Sequence, residues 1–133
     1  MFGPEEKYPS RPPLMVLAYA DSCYAALSCR YFRRLGWEVH LAPGGVEARR
    51  LARNLAPAVV VLDTDLRDES GWLTCDKLRR ENPHQKVVLV SENPTDEGRR
   101  LAAFVGASGL VCRGGGAGVL AEEVLGSALP AVG

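Results

Sequence analysis

The sequence predicts an α/β fold in which one parallel sheet of five strands carries helices on both faces. Short aliphatic segments alternate five times with amphipathic segments along the 133 residues. Strict alternation of this kind is typical of parallel sheets, because each strand returns to the same edge through a helical crossover. The segment AVVVL at 58–62 is continuously apolar, as expected for a central strand that is buried on both faces.

Five segments have the composition of β-strands. The first is a short aliphatic run, and the second alternates apolar and polar side chains with the period of a strand. The third and fourth are continuous apolar runs typical of buried parallel strands. In chain order the predicted strands are 14–19, 37–42, 58–62, 86–90 and 109–112.

The five intervening segments have apolar residues at helical spacing. In the first of them, Tyr24, Leu27 and Tyr31 recur every three or four residues. In the fourth, Asn93 and Pro94 are predicted to be the N-cap and the first helical residue. The predicted helices cover 22–35, 45–55, 71–82, 94–104 and 117–129.

The chain is predicted to form one domain over residues 14–129. Residues 1–13 carry four prolines without an apolar period and are predicted to be a disordered tail, and residues 130–133 form a second short tail. No apolar stretch approaches the roughly 18 residues of a membrane span. The N-terminus shows no signal-peptide pattern, so we expect a cytoplasmic protein.

The composition argues against several functional classes. The 16 basic residues are balanced by 16 acidic ones, whereas a nucleic-acid-binding protein usually has a basic excess. The four cysteines have no C-x-x-C spacing and only two histidines accompany them, so a zinc site is not expected. We expect reduced thiols that act as small apolar side chains.

A cluster of acids follows the third predicted strand, in the segment AVVVLDTDLRDESG at 58–71. Four acidic side chains occur within seven residues, and they are Asp63, Asp65, Asp68 and Glu69. Such a cluster is either a solvated turn or a place that holds a magnesium ion, a phosphoryl group or a basic partner. The position is informative, because ligands of open α/β sheets bind at the carboxyl ends of the strands.

The residues at the ends of the other predicted strands complete a pattern. Ser91 ends the fourth strand, and Arg113 ends the fifth strand after the motif GASGLV. With Asp63 and Gly71 eight residues apart, this pattern resembles the receiver domains of response regulators over about residues 14–129. The resemblance implies a flavodoxin-like fold with strand order 2-1-3-4-5 and a part in two-component signal transduction or a phosphorelay.

In that family an Asp at the end of the third strand accepts a phosphoryl group, so the resemblance makes Asp63 the candidate phosphoacceptor. Ser91 and Arg113 are the corresponding candidates for contacts with the phosphoryl oxygens, although Arg113 stands where the family has Lys. A guanidinium is a planar fork suited to carboxylates, so we expect Arg113 to form a salt bridge with Asp63.

The magnesium-binding part of the family pattern is missing. The family carries an acidic pair after the first strand, and counting back from the glycine that ends the first helix places this pair on Tyr19 and Ala20, which supply no carboxylate. Mg²⁺ requires hard oxygen ligands, so we expect no bound cofactor. Asp21 and Asp65 are the remaining acids of this degenerate pocket, and Asp21 with Asp63 would be the weak candidates for a metal site.

These features predict an atypical receiver domain, or pseudo-receiver, which is not an enzyme and acts by binding other proteins. The expected partner is a histidine kinase or a downstream signalling protein, and a homodimer is expected to use the fourth helix, fifth strand and fifth helix. Arg99, Arg100 and Leu110 are predicted to lie on that output face. Leu110 occupies a position at which many receivers carry an aromatic side chain.

Two alternatives remain open from the sequence. The first is a functional single-domain receiver that a histidine kinase phosphorylates on Asp63, with Asp21 or Asp65 as a metal ligand. The second is a small flavodoxin-like protein that binds a cofactor or a nucleotide, because CRGGGAGV lies between a strand and a helix. The nucleotide fingerprint belongs to the first strand–helix unit of its fold, however, and this segment opens the last one.

Overall fold

The computed structural model of the protein describes residues 12–126. The predicted tails therefore lie largely outside the described residues, as do positions 127–129 of the predicted last helix. Within residues 12–126, no helix is both long enough and apolar enough to cross a lipid bilayer.

Five strands and five α-helices alternate along the chain, as the sequence predicts. The strands are β1 (Leu14–Ala18), β2 (Glu38–Ala42), β3 (Val59–Asp63), β4 (Val87–Ser91) and β5 (Gly109–Cys112). The helices are α1 (Ser22–Arg34), α2 (Gly45–Leu55), α3 (Gly71–Glu81), α4 (Asp96–Phe104) and α5 (Gly116–Leu125), and a 3-10 turn at Arg113–Gly115 precedes α5. All neighbouring strands are parallel, in the order β2-β1-β3-β4-β5, which confirms the predicted fold class and strand order.

The start of α4 differs from the prediction. The helix begins at Asp96, and its N-cap is Thr95, whose hydroxyl oxygen accepts a hydrogen bond from the Gly98 N–H at 2.9 Å. Asn93 and Pro94 belong to the preceding loop, so their prediction as N-cap and first helical residue is wrong. Both Asn and Thr are good capping residues, and the cap forms at the one whose side chain reaches the third N–H of the helix.

The central strand β3 separates two apolar clusters, and all five of its residues are buried. One cluster fills the side of the sheet covered by α1 and α5, and the other fills the side covered by α2, α3 and α4. Alternate residues of β3 enter the two clusters, with Val61 in the first and Leu62 in the second. The apolar run thus ends on Asp63 at the carboxyl edge of the sheet.

Gly71, the first residue of α3, lies against the end of β3. Its N–H donates to the Thr64 carbonyl at 3.2 Å, and a Cβ atom at this position would stand 2.3 Å from the carbonyl oxygen of Asp63. The two backbone segments can therefore approach this closely only where the helix carries no side chain. This contact gives a physical reason for a glycine eight residues after Asp63.

We expect Gly71→Ala to lower the free energy of unfolding by about 2–3 kcal/mol, because the backbone around Asp63 must move to admit the methyl group. Gly118→Ala in α5 is the matched control, since no atom of the described residues lies within 4 Å of the corresponding Cβ position. Alanine favours a helix over glycine, so the control should gain about 0.5–1 kcal/mol. Urea denaturation followed by circular dichroism measures both changes, and a similar effect of the two substitutions would contradict the close contact.

Candidate functional site

The candidate site lies at the carboxyl edge of the sheet, around the end of β3. Asp63 is the last residue of β3 and is only 2% exposed. Its Oδ2 accepts a hydrogen bond from the Ala20 N–H at 3.0 Å, and its Oδ1 accepts one from the Asp65 N–H at 2.9 Å. Two backbone amides therefore hold the carboxylate in place and offset part of the cost of burying it.

Arg113, which directly follows the outer strand β5, supplies a counter-charge for Asp63. Its Nη1 lies 3.7 Å from Asp63 Oδ2, so the predicted salt bridge is confirmed, but as one long contact and not as a bidentate pair. Its Nη2 lies 3.0 Å from Glu92 Oε1, so Arg113 bridges the buried Asp63 and an exposed acid. Sequence reasoning missed Glu92, because a single exposed acid after a strand carries no spacing signal.

Tyr19 and Ala20 occupy the two positions that the family resemblance assigns to carboxylates. The Tyr19 side chain is buried, and its ring packs on that of Tyr24 with the ring centroids 4.7 Å apart. Burial raises the pKa of the Tyr19 hydroxyl well above its usual value, and the Tyr24 hydroxyl raises that pKa further. The first position of the acidic pair therefore holds a neutral phenol, and the second holds a methyl group.

The hydroxyl groups of Tyr19, Tyr24 and Ser28 are buried close to one another at the end of β1 and the start of α1. They affect the pKa values of the two tyrosines, yet none of the three makes a hydrogen bond of good geometry within residues 12–126. These three hydroxyl groups are neutral, so they offer no negative charge to the site.

Of the other two acids that the sequence assigns to this pocket, Asp21 is engaged in another contact and Asp65 is exposed. Asp21 is the N-cap of α1, and its Oδ1 accepts hydrogen bonds from the N–H groups of Cys23 at 2.9 Å and Tyr24 at 3.0 Å. The hydrogen bond from the Tyr24 N–H is the main reason that the pKa of Asp21 lies below its usual value. Asp65 is exposed, and its backbone N–H, not its carboxylate, is the group that contacts Asp63.

The residues at this edge do not fit the Mg²⁺ ion that the family resemblance implies. Mg²⁺ prefers several oxygen ligands in a near-octahedral shell. Asp63 instead faces a guanidinium and two N–H donors. In the part of the chain that the structure describes, no three His, Cys, Asp or Glu side chains come together as a metal site. The guanidinium and the two N–H groups are therefore suited to holding the Asp63 carboxylate and not to binding a hard cation.

Ser91 lies on the same edge as Asp63, at the end of the neighbouring strand β4. Its hydroxyl oxygen accepts the N–H of Asn93 at 3.3 Å, so the side chain contributes to the loop that leads to α4. The structure thus brings the predicted Ser91, Asp63 and Arg113 to one edge and gives Ser91 a loop-capping contact.

Asp68, in the loop after β3, caps a helix that is distant in sequence. Its Oδ1 accepts the N–H of Gly45 at 3.0 Å and its Oδ2 accepts the N–H of Val46 at 3.1 Å, at the N-terminus of α2. These two hydrogen bonds lower the pKa of Asp68. A negative charge at a helix N-terminus is favourable, so Asp68 ties α2 to the loop that carries the site.

Glu69 is the buried member of this loop, with 8% of the residue exposed. It accepts two hydrogen bonds from Arg49 of α2, both at 3.0 Å. Thr74 and Lys77 of α3 also donate to it, at 2.7 Å and 3.2 Å. Asp68 and Glu69 therefore serve separate structural contacts, whereas Asp65 is exposed, so the four acids do not converge on one point.

The predicted output face is only partly present at the surface. Leu110, which the sequence assigns to this face, is 7% exposed and packs beneath α4, where its Cδ2 would lie 3.1 Å from a Cβ at Gly98. Arg99 donates from Nη1 to the Leu110 carbonyl at 3.1 Å, which joins α4 to β5. Arg100 is exposed.

The doubly wound α/β fold with a buried Asp at the end of its third strand agrees with the arrangement that the resemblance to receiver domains implies. The family model for the response regulator receiver domain matches residues 21–124. Because this match covers well over half of the chain, the protein belongs to the response regulator receiver domain family. Receiver domains are signalling modules with protein partners such as kinases. Family membership therefore favours a signalling module over the cofactor-binding protein that the sequence left open.

Individual relatives agree with the family match. The probable transcriptional regulatory protein TcrX of Mycobacterium tuberculosis is 34% identical over 102 residues, which are 76% of this chain and 44% of TcrX. The chain thus spans less than half the length of this relative.

Solved receiver structures have the same fold at low sequence identity. The receiver domain of response regulator 1452 of Francisella has a TM-score of 0.78 at 21% identity and covers 84% of this chain and 93% of its own. A CheY-like receiver domain protein of Methanospirillum hungatei has a TM-score of 0.78 at 18% identity, covering 85% of this chain and 90% of its own. At these identities the similarity shows the fold alone.

Glu69 should make stability depend on pH. Burial raises the pKa of Glu69, but the hydrogen bonds from Arg49, Thr74 and Lys77 outweigh burial and hold the pKa below its usual value of 4.5. A carboxyl group whose pKa is depressed by folding stabilises the protein above its unfolded-state pKa, and this stability is lost as the pH falls. We therefore expect the free energy of unfolding to decrease below a pH of 4.5.

Glu69→Gln should lower the free energy of unfolding by about 2–3 kcal/mol at neutral pH, because Arg49 and Lys77 lose a charged partner, and should flatten the acid dependence. Glu81→Gln is the control, since Glu81 is half exposed and meets Arg53 at 3.4 Å, a kind of surface pair that contributes little. Urea titrations at neutral and acidic pH measure both variants. An unchanged acid dependence in Glu69→Gln would assign the effect to other carboxyl groups.

Proposed function

We propose that this receiver domain is an atypical one, which signals through protein–protein contacts and does not undergo normal Mg²⁺-dependent phosphorylation on Asp63. The observation that carries the proposal is the contact between Asp63 and Arg113, and it is supported by Tyr19 and Ala20 at the positions where the family resemblance places the acidic pair. The carboxylate of Asp63 has its charge balanced by the chain itself.

The electrostatic argument concerns the charge that a phosphoryl group would bring. Phosphorylation would place a charge near −2 on Asp63, a residue that is 2% exposed. For each unit of negative charge about 4 Å away, a divalent ion contributes roughly 8 kcal/mol at an effective dielectric of 20, twice what one monovalent group contributes. Arg113 is monovalent and is shared with Glu92, so it supports the resting carboxylate better than its phosphorylated form.

The partner in this proposal is a protein, either a histidine kinase or a downstream signalling protein. Membership of the receiver family supports such partners. The balance of 16 basic and 16 acidic residues gives no electrostatic reason for this chain to bind nucleic acid by itself. The relative TcrX is described as a transcriptional regulatory protein, but the present chain spans less than half of it.

A working phosphoswitch is the second candidate, and the positions of Asp63 and Ser91 at adjacent strand ends favour it. This candidate needs a carboxylate near Asp63 to help bind the cation. Asp21 would have to leave the N–H groups of Cys23 and Tyr24, which would uncap α1. N-cap removal costs about 1 kcal/mol, and that cost would reduce the affinity for the ion.

We expect no phosphorylation of the chain by acetyl phosphate in the presence of Mg²⁺, and no saturable change of Trp72 fluorescence with beryllofluoride. Intact-protein mass spectrometry detects the addition of one phosphoryl group, and a receiver with its acidic pair intact serves as the positive control. Asp63→Asn identifies the site. A stoichiometric phosphoryl group that is lost in Asp63→Asn would overturn the proposal in favour of the working switch.

Restoring one carboxylate should restore some affinity for Mg²⁺. Ala20 is exposed and its N–H already contacts Asp63, so Ala20→Asp adds an oxygen donor beside the site without emptying the core. We expect Ala20→Asp combined with Arg113→Lys to bind Mg²⁺ measurably by isothermal titration calorimetry. Ala26→Asp with Arg113→Lys is the control of equal charge, because Ala26 is exposed in the middle of α1. Equal Mg²⁺ binding by the two double variants would refute the role given to position 20.

A further inference from the structure

Strand β2 is an outer strand of the sheet, and its free edge lies open beside α1. It pairs with β1, and no strand of residues 12–126 lies on its other side. An outer strand presents unpaired N–H and C=O groups along its free edge. Such an edge accepts an extended segment of another protein as one more strand.

Alternation along β2 identifies the backbone groups on this edge. The Glu38 N–H donates to the Pro13 carbonyl at 2.8 Å, so the backbone of Glu38 faces β1. Successive residues of a strand direct their backbone groups to opposite sides, so those of Val39 and Leu41 face the free edge. The Val39 carbonyl accepts a hydrogen bond from Arg33 Nη2 at 3.0 Å, in agreement with this assignment. Leu41 therefore directs its N–H and C=O to an edge with no neighbouring strand among the described residues.

A groove of about 580 Å³ lies between this edge and α1, and its lining residues are Ala26, Cys29, Arg30, Arg33, Arg34 and Leu41. Arg30 precedes Arg33 by three residues and Arg34 by four, so neighbouring turns of the helix bring the three side chains together. Leu41 supplies the β2 side of the groove and is 50% exposed. The groove therefore joins three guanidinium groups to an open strand edge.

Acids of the described residues do not balance the positive charge of this groove. None of its lining residues is acidic, and no carboxylate of residues 12–126 forms a salt bridge with Arg30, Arg33 or Arg34. Glu38, an acid of the same strand, points to the opposite face of the sheet, where its Oε2 lies 2.7 Å from His40 Nε2. The chain as a whole has no net charge, so this local excess of positive charge favours an acidic partner.

The open edge and the arginines together select the conformation and the charge of the partner. In an added strand, alternate side chains point to the α1 side of the sheet, as those of Val39 and Leu41 do. Acids at alternate positions then face the arginines of α1, while the backbone of the added strand pairs with Leu41. We propose that the outer edge of β2 and the adjacent arginines of α1 bind an acidic segment of a partner protein as an added strand, with a carboxylate at every second residue.

Arg33 belongs to both parts of this surface. In the free chain its guanidinium donates to the Val39 carbonyl and so satisfies one group of the edge. An added strand replaces this hydrogen bond by one from its own backbone N–H, and the guanidinium then pairs with a carboxylate of the same strand. The Val39 carbonyl therefore has a donor in both states.

This inference rests on the proposed role of the domain in protein–protein contacts and adds one surface and one partner chemistry to it. It is separate from the chemistry of Asp63, because peptide binding is measured without a phosphodonor. Absence of peptide binding would refute the surface and leave the phosphorylation result unaffected. Phosphorylation of Asp63 in a chain that still binds the peptide would refute the proposed function alone.

Fluorescence anisotropy with a labelled peptide tests the inference on the full chain. The probe alternates glutamate with threonine, a residue that favours strands. The matched control peptide has the same sequence with its amides N-methylated, so it keeps the charge and loses the N–H donors of a strand. We expect the control to bind at least about tenfold more weakly than the probe. Equal binding of the two peptides, or equally tight binding of a short DNA duplex, would show a general anion-binding surface and refute the added strand.

Charge reversal locates the site on the protein. Arg30→Glu should raise the dissociation constant of the probe at least about tenfold, because an attraction to the carboxylates becomes a repulsion. Arg100→Glu on α4 is the matched control, since Arg100 is exposed and α4 covers the other side of the sheet. Circular dichroism checks that both variants fold. Equal weakening by the two substitutions would assign binding to overall charge and overturn the proposal.

Amide hydrogen exchange at Leu41, followed by NMR, distinguishes strand pairing from a contact between charges alone. At saturating probe we expect exchange of the Leu41 N–H to slow at least about tenfold, because this group becomes hydrogen-bonded to the added strand. The N-methylated peptide should leave the exchange rate unchanged. An unchanged rate with the bound probe would contradict pairing at this edge. Protection of Leu41 that rises with protein concentration in the absence of the probe would assign the edge to a second copy and overturn the choice of partner.

Discussion

The buried carboxylate of Asp63 is the group on which the carboxyl edge of the sheet depends. A carboxylate that is 2% exposed has lost most of its hydration, so it persists only where the protein supplies hydrogen bonds and a counter-charge. These come from the segments after three different strands: Ala20 after β1, Asp65 after β3 and Arg113 after β5. Parallel pairing brings all of these strand ends to one edge, and the Gly71 contact fixes α3 against the same point.

Arg113 differs from a bound cation because it is part of the chain. A cation exchanges with solvent, whereas a guanidinium held between Asp63 and Glu92 balances the charge at any cation concentration. Around the site, Asp68 caps α2 and Glu69 binds Arg49 and Lys77, so the loop after β3 is tied to both neighbouring helices. Under the proposed function, in which Asp63 stays unmodified, the domain would signal by binding partners in this arrangement.

The sequence predicts what repeats locally and misses what depends on distant residues. The five strands and their parallel direction follow from apolar runs and alternation, whereas the strand order and the Asp63–Arg113 pair follow from the family resemblance. The contacts of Asp68 and Glu69 join residues about 20 apart, and no periodicity encodes such pairs. The burial of Leu110 depends on how α4 packs, which the sequence of β5 does not contain. The start of α4 was ambiguous for a local reason, because two capping residues flank Pro94.

Helix α4 depends on its contacts with β5 and α3 for its stability. A helix of nine residues is too short to be stable alone, so its stability must come from tertiary contacts. On one side those contacts are the Arg99 bond to the Leu110 carbonyl and the packing of Leu110 under Gly98. On the α3 side, Ala102 shares a buried apolar cluster with Cys75 and Leu78 of α3. Leu101 and Phe104 remain exposed among residues 12–126. Because a Cβ at Gly98 would lie 3.1 Å from Leu110 Cδ2 and 3.7 Å from Trp72 Cη2, the missing side chain lets α4 lie close to both β5 and α3.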